Sequence, residues 1–257
     1  MLRSRLLPSS ADTRHFVVLL HAFPLSSSMW DRMVVEFEEQ RDDTTFLLID
    51  FPGFGESIIQ PQWTMQSISG EICQEIRKHT SERVILGGVS MGGYAALAFY
   101  REYPGMLSGL VLSNTKTDAD SETAKRDREA FALDAIDRGP DAAIERLYSQ
   151  FVTEETDPEI AIDIRNWISQ ADPLAIAAAL RAMASRADSH DLLSLISISS
   201  LLITGTRDQI ITPIQMRQMA IQLQDATYVE MAEATHLTPA ERPKEWADAL
   251  AGFLDRI

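Results

Sequence analysis

Residues 84–97 read Val84-Ile85-Leu86-Gly87-Gly88-Val89-Ser90-Met91-Gly92-Gly93-Tyr94-Ala95-Ala96-Leu97, and this stretch decides the fold. A short β-favouring apolar run meets a Gly-x-Ser-x-Gly turn, and helix-forming residues follow. The order is therefore strand, sharp turn, helix, with Ser90 at the turn. Gly88 and Gly92 stand where a side chain would collide as the backbone doubles back. A serine held this way points its hydroxyl out of the sheet, beside the positive end of the helix dipole.

Working outward, the same rhythm recurs. Apolar runs at Phe16 to Leu20, Phe46 to Ile49, Gly109 to Leu112, Leu201 to Ile203 and Tyr228 to Met231 join Val84 to Leu86 as expected strands. Segments with helical spacing alternate with them, starting near Met29, Met65, Met91, Pro213 and Pro243. This alternation predicts an α/β protein whose mostly parallel sheet is flanked by helices. Between Lys116 and Asp191 the strand rhythm stops. Four amphipathic helical segments are expected there, divided at Gly139-Pro140, Thr156-Asp157-Pro158 and Asp172-Pro173. The predicted organisation is a core of residues 1–115 and 192–257 carrying a helical cap at 116–191.

Composition narrows the function. Thirty-eight acidic against 23 basic side chains give a formal charge of -15. Such a chain repels phosphate backbones and anionic lipid surfaces, so neither nucleic acid nor membrane is expected as a partner. The single cysteine, Cys73, excludes an intramolecular disulfide and a thiolate zinc site. The first residues lack the apolar stretch of about 7 to 15 residues that a signal peptide needs, and a cytoplasmic location is the expectation. Metal-binding histidine spacing and a P-loop are also missing, so no metal or cofactor is expected.

Ser90 in this setting resembles the nucleophile of the α/β-hydrolase family, and further motifs match in order along the chain. His21-Ala22-Phe23-Pro24, directly after the first expected strand, resembles the family's oxyanion loop, with Ala22 in place of the usual glycine. The resemblance implies that the backbone N–H groups of Phe23 and Met91 bind the oxyanion. Asp50-Phe51-Pro52-Gly53-Phe54-Gly55-Glu56-Ser57 resembles a structural turn of the family. Gly205-Thr206-Arg207-Asp208 resembles its acid loop, and His236, between the last strand and the last helix, falls where its catalytic histidine falls. Ser90, Asp208 and His236 follow the chain order of that triad. Asp118 or Asp120 would be the acid if it followed the preceding strand instead.

The other histidines have lesser expectations: His15, His79 and His190 as surface groups, His21 as a structural hydrogen-bonding group. The resemblance implies hydrolysis of a small-molecule carboxylic ester with a small or medium apolar acyl group. Lactone hydrolysis, as in the enol-lactonases that the layout resembles, and carbon-carbon bond hydrolysis use the same residues. A ligand receptor of the same fold is the reading from another class. Leu25 and Leu237 flank the catalytic loops and, with Trp167 and Met183 from the cap, are the expected substrate contacts. The oligomeric state is not legible.

Overall fold

In the computed structural model, which describes residues 2–257, seven strands hydrogen-bond into one sheet. They are β1 (Arg3–Leu7), β2 (His15–Leu20), β3 (Thr44–Asp50), β4 (Val84–Val89), β5 (Leu107–Ser113), β6 (Ser199–Gly205) and β7 (Ala226–Met231). Their spatial order is β1-β3-β2-β4-β5-β6-β7. All neighbours run parallel except β1, which pairs antiparallel with β3 in the register Arg5 to Leu48. The central strands are buried along their whole length, which is why they read as unbroken apolar runs rather than alternating ones.

β1 is the strand that periodicity overlooks. An edge strand needs only one neighbour and is protected from further pairing by charge, so Arg3 and Arg5 disguise it as a polar leader. It is held by Arg3 N donating to Ser57 Oγ at 2.7 Å and by an Arg5–Asp31 ion pair.

The flanking helices are α1 (Asp31–Glu38), α2 (Met65–Arg77), α3 (Met91–Glu102), α9 (Pro213–Gln222), α10 (Thr238–Glu241) and α11 (Pro243–Leu254). α1 packs with α11 and α2 with α3. Trp30 and Trp246, both fully buried, meet edge to face at 5.2 Å and join α11 to the turn before α1. α4 (Glu122–Arg138), α5 (Asp141–Phe151), α6 (Pro158–Ser169), α7 (Pro173–Ala184) and the single turn α8 (His190–Leu193) lie between β5 and β6. Their limits follow the breakers in the sequence. Asp157 and Asp172 cap the next helices through side-chain bonds of 2.8 Å to the amides of Glu159 and Leu174, and a proline opens each. Among the described residues, no helix is long and apolar enough to cross a membrane.

The chain visits β2, then β3 on one side, then crosses to β4 on the other. Strand order therefore reverses between β2 and β4, and the loops leaving their carboxyl ends diverge to leave a crevice. The Phe23 loop and Ser90 are those two exits.

Candidate active site

β4 ends at Val89 and α3 begins at Met91, so Ser90 makes the turn alone, at φ 54° and ψ -110°. Such a conformation costs an L-residue on the order of 1–3 kcal/mol and persists only where its surroundings enforce it. Here Ser90 N donates to Ser113 O at 3.0 Å, while Ser90 O accepts from Tyr94 N at 3.1 Å and from Thr115 Oγ1 at 2.9 Å. The glycines are required by contact. A Cβ on Gly88 would overlap the carbonyl of Gly92, and one on Gly92 would overlap that of Leu20. Met91 is the first residue of α3, so its N–H belongs to the turn that lacks intrahelical acceptors.

His21 is buried, and both of its nitrogens are committed. Nδ1 donates to Ala22 O at 2.9 Å and Nε2 accepts from Phe51 N at 2.9 Å, which fixes a neutral ring. Burial pushes its pKa down, against a smaller opposing effect of Asp50. The imidazole thus braces the Phe23 loop and has no lone pair left to act as a base. Asp50 is similarly occupied, accepting from Ser27 N at 2.7 Å and Glu56 N at 3.2 Å.

Asp208, in the loop after β6, meets His236, in the loop after β7: Oδ2 lies 2.8 Å from Nδ1, and both side chains are buried. Nε2 is left as the nitrogen available to the cavity. Asp208 Oδ1 also accepts from the amides of Ile210 at 2.8 Å and Ile211 at 3.0 Å. Burial works to raise the Asp208 carboxyl, but the charge and hydrogen bond of His236, with bonds from Asn114 and the Ile211 amide, outweigh it and hold its pKa below the usual value. The loop carrying His236 is pinned by Glu241, which accepts from Thr235 N at 2.9 Å, Thr235 Oγ1 at 2.8 Å and Leu237 N at 3.1 Å.

Two residues packed around the Asp208–His236 pair are not singled out by the sequence. Asn114, at φ 47° just past β5, donates from Nδ2 to Asp208 Oδ2 at 2.9 Å and to Thr235 O at 3.2 Å. Its Oδ1 accepts from Ser113 at 2.9 Å and Thr238 at 2.8 Å. The end of β5 thus contributes an amide that braces Asp208. Asp118 is exposed, and Asp120 is buried in ion pairs with Arg128 and Arg186. Phe151, from α5, stacks flat on the His236 ring at 5.8 Å. Its helical spacing announced an apolar face, but not what the face would meet.

Asn114 carries an expectation of its own. Asp208 is stabilised in its ionised form, so its contribution to stability is complete above the unfolded carboxyl pKa and is lost as pH falls through the lower folded value. Asn114→Ala removes one of the bonds to that form and raises the folded pKa. Acid unfolding followed by circular dichroism should then begin at higher pH in the variant. An unchanged acid midpoint would remove Asn114 from this role.

Ser90 and His236 open on one cavity of about 400 Å³, with Phe23, Tyr94, Phe131, Phe151, Leu180 and Met183 in its wall. A smaller cavity of about 210 Å³ shares Tyr94 but none of Ser90, Asp208 and His236. Of the expected substrate contacts, Met183 reaches the larger cavity. Leu25 and Leu237 do not: each is packed in the core. Trp167 packs half-buried from α6 against the core and is likewise absent from the wall, to which the segment between β5 and β6 contributes α4, α5 and α7. Among the described residues, Asp118, Asp188 and His190 bring ligating atoms within 4.8 Å of one another, but all three are exposed and outside this cavity.

The sequence profile described as the alpha/beta hydrolase family matches residues 17–249, and the chain belongs to that family. A solved esterase from Thermogutta terrifontis, with malate bound, is similar at 32% identity and a TM-score of 0.91, over 99% of this chain and 93% of that one. The enol-lactonase from Burkholderia xenovorans LB400 shares the fold at 24% identity and a TM-score of 0.88, over 99% of this chain and 96% of that one. In sequence, the 3-oxoadipate enol-lactonase 1 of Acinetobacter baylyi is 24% identical over 246 residues, 94% of this chain and 89% of its own length.

Proposed function

We propose that the protein is a serine hydrolase that cleaves carboxylic esters with a small or medium acyl group of apolar body, through an acyl-enzyme. One observation carries the reading: His236 is fixed through Nδ1 on buried Asp208 and opens, with Ser90, on the same cavity. His236 Nε2 takes the Ser90 proton as Oγ adds to the ester carbonyl, and the Phe23 and Met91 amides hold the resulting oxyanion. The tetrahedral intermediate collapses as His236 protonates the leaving alcohol. Water, deprotonated by His236, then adds to the acyl-enzyme, and the acid leaves as the proton returns to Ser90. Helices of residues 116–191 serve as a cap over the core, keeping bulk water from the reacting carbonyl.

Similarity to two enol-lactonases supports a second reading in which the ester is a lactone. The steps are the same, except that the leaving oxygen stays tethered and the product is a hydroxy acid.

Purified protein should turn over p-nitrophenyl esters of short acyl chains and be labelled at Ser90 by a fluorophosphonate. Absence of both would end the reading, and a lactone in the same panel separates the two substrates. Because Met183 lines the cavity and Trp167 does not, Met183→Ala should shift the optimum toward longer acyl chains, whereas Trp167→Phe should leave the chain-length profile of kcat/KM in place. Equal effects of the two substitutions would misplace the acyl chain.

A further inference from the structure

The wall that α4 and α5 contribute to the Ser90 cavity is not purely apolar. It holds two guanidinium groups, Arg128 and Arg146, against one carboxylate, Asp127. In a chain of formal charge -15, this is a local reversal of sign.

Neither cation is used up by its neighbours. Arg128 gives Nε to buried Asp120, but that carboxylate also takes Arg186 Nη1 at 2.8 Å, so two cations share one anion. Arg128 Nη1 meets the Met183 sulfur, a weak acceptor, at 3.5 Å. Arg146 lies over the Phe131 ring, its Cζ 4.7 Å from the centroid. It pairs with Asp134 at 3.5 Å, a carboxylate that Arg138 engages at the same distance. Asp127 pairs with neither cavity arginine. Phe131 in turn meets Phe23 edge to face at 6.1 Å, so an aromatic strip runs from the expected oxyanion loop to Arg146. The strip suits methylene groups, and its far end suits an anion.

We propose that the acyl group cleaved here ends in a carboxylate, gripped by Arg128 and Arg146, with its methylenes along Phe23 and Phe131. This rests on the serine-hydrolase reading of the same cavity. A guanidinium offers paired donors that match a carboxylate, and charge-assisted bonds of this kind are about twice as strong as neutral ones. An uncharged acyl chain of equal length offers neither guanidinium such a partner.

The test compares ethyl hydrogen glutarate with ethyl valerate, equal in acyl length, by pH-stat. The wild type should favour the hemiester at least tenfold in kcat/KM. Arg146→Gln, at an exposed site that folding should tolerate, and Arg128→Met should each lower that ratio about tenfold, and added salt should lower it in the wild type. A preference for ethyl valerate, or a ratio unmoved by both substitutions, overturns the proposal. Calorimetric titration of the Ser90→Ala protein with glutarate and with valerate reads the same site without turnover: glutarate should bind more tightly, and Arg146→Gln should erase the difference. Arginine-dependent glutarate binding without hydrolysis of either ester would sink the hydrolase reading and keep the carboxylate site. Hydrolysis of ethyl valerate with no preference for glutarate would do the reverse.

Discussion

Ser90→Ala is expected to reduce ester turnover about 10⁶-fold, to the level that cavity binding and the oxyanion amides alone provide. The loss should fall on kcat, because in the proposed mechanism the hydroxyl forms the bond that defines the transition state, while the cavity proposed for the acyl group stays intact. The fold should survive, since the bonds that hold this turn are made by Ser90 N and O rather than by Oγ. A companion substitution tests the strain itself. Ser90→Gly removes the Cβ that disfavours φ 54°, relieving on the order of 1–3 kcal/mol, offset by about 0.5–1 kcal/mol of added chain entropy in the unfolded state. Ser90→Gly should therefore be inactive yet about 1 kcal/mol more stable than Ser90→Ala in urea unfolding. A glycine variant that is less stable would show that the turn stores no strain.

Asp208→Asn should lower kcat about 10⁴-fold with little change in KM. An amide that offers its NH₂ to His236 Nδ1 forces the proton onto Nε2, and the imidazole can then no longer accept the proton of Ser90. The negative charge that steadies the imidazolium during the reaction is lost as well. Nitrogen NMR of the imidazole should report Nδ1–H in the wild type and Nε2–H in the variant. Retained activity with an unchanged tautomer would mean that another carboxylate supports the base, and Asp208 would lose its place in the mechanism.

Much of this arrangement is legible before any coordinates. Gly88 and Gly92 declare the turn because a Cβ at either would overlap neighbouring backbone, with Ser90 between them, and the buried parallel strands declare themselves as apolar runs. β1 escapes because an edge strand is stabilised by one neighbour and can carry arginines. Asn114 escapes for a different reason. Nothing local marks it, and its meaning arises only when Asp208, 94 positions further along the chain, comes within hydrogen-bond reach of its amide. Leu25 and Leu237 show the converse: each stands close in the chain to a residue of the cavity wall, yet its own side chain is packed in the core.

The sequence by itself determined the layered α/β architecture, the strained serine turn and the order of the chemically competent side chains, since these follow from backbone sterics and from periodicity within a few residues. Tertiary structure alone decided that His236 would rest on Asp208 beneath Phe151, that Asn114 would brace Asp208, and that two arginines would face a largely apolar cavity. Those outcomes depend on the relative placement of loops from different strands. The packing of the whole sheet with its helices sets that placement, and no short window of residues encodes it.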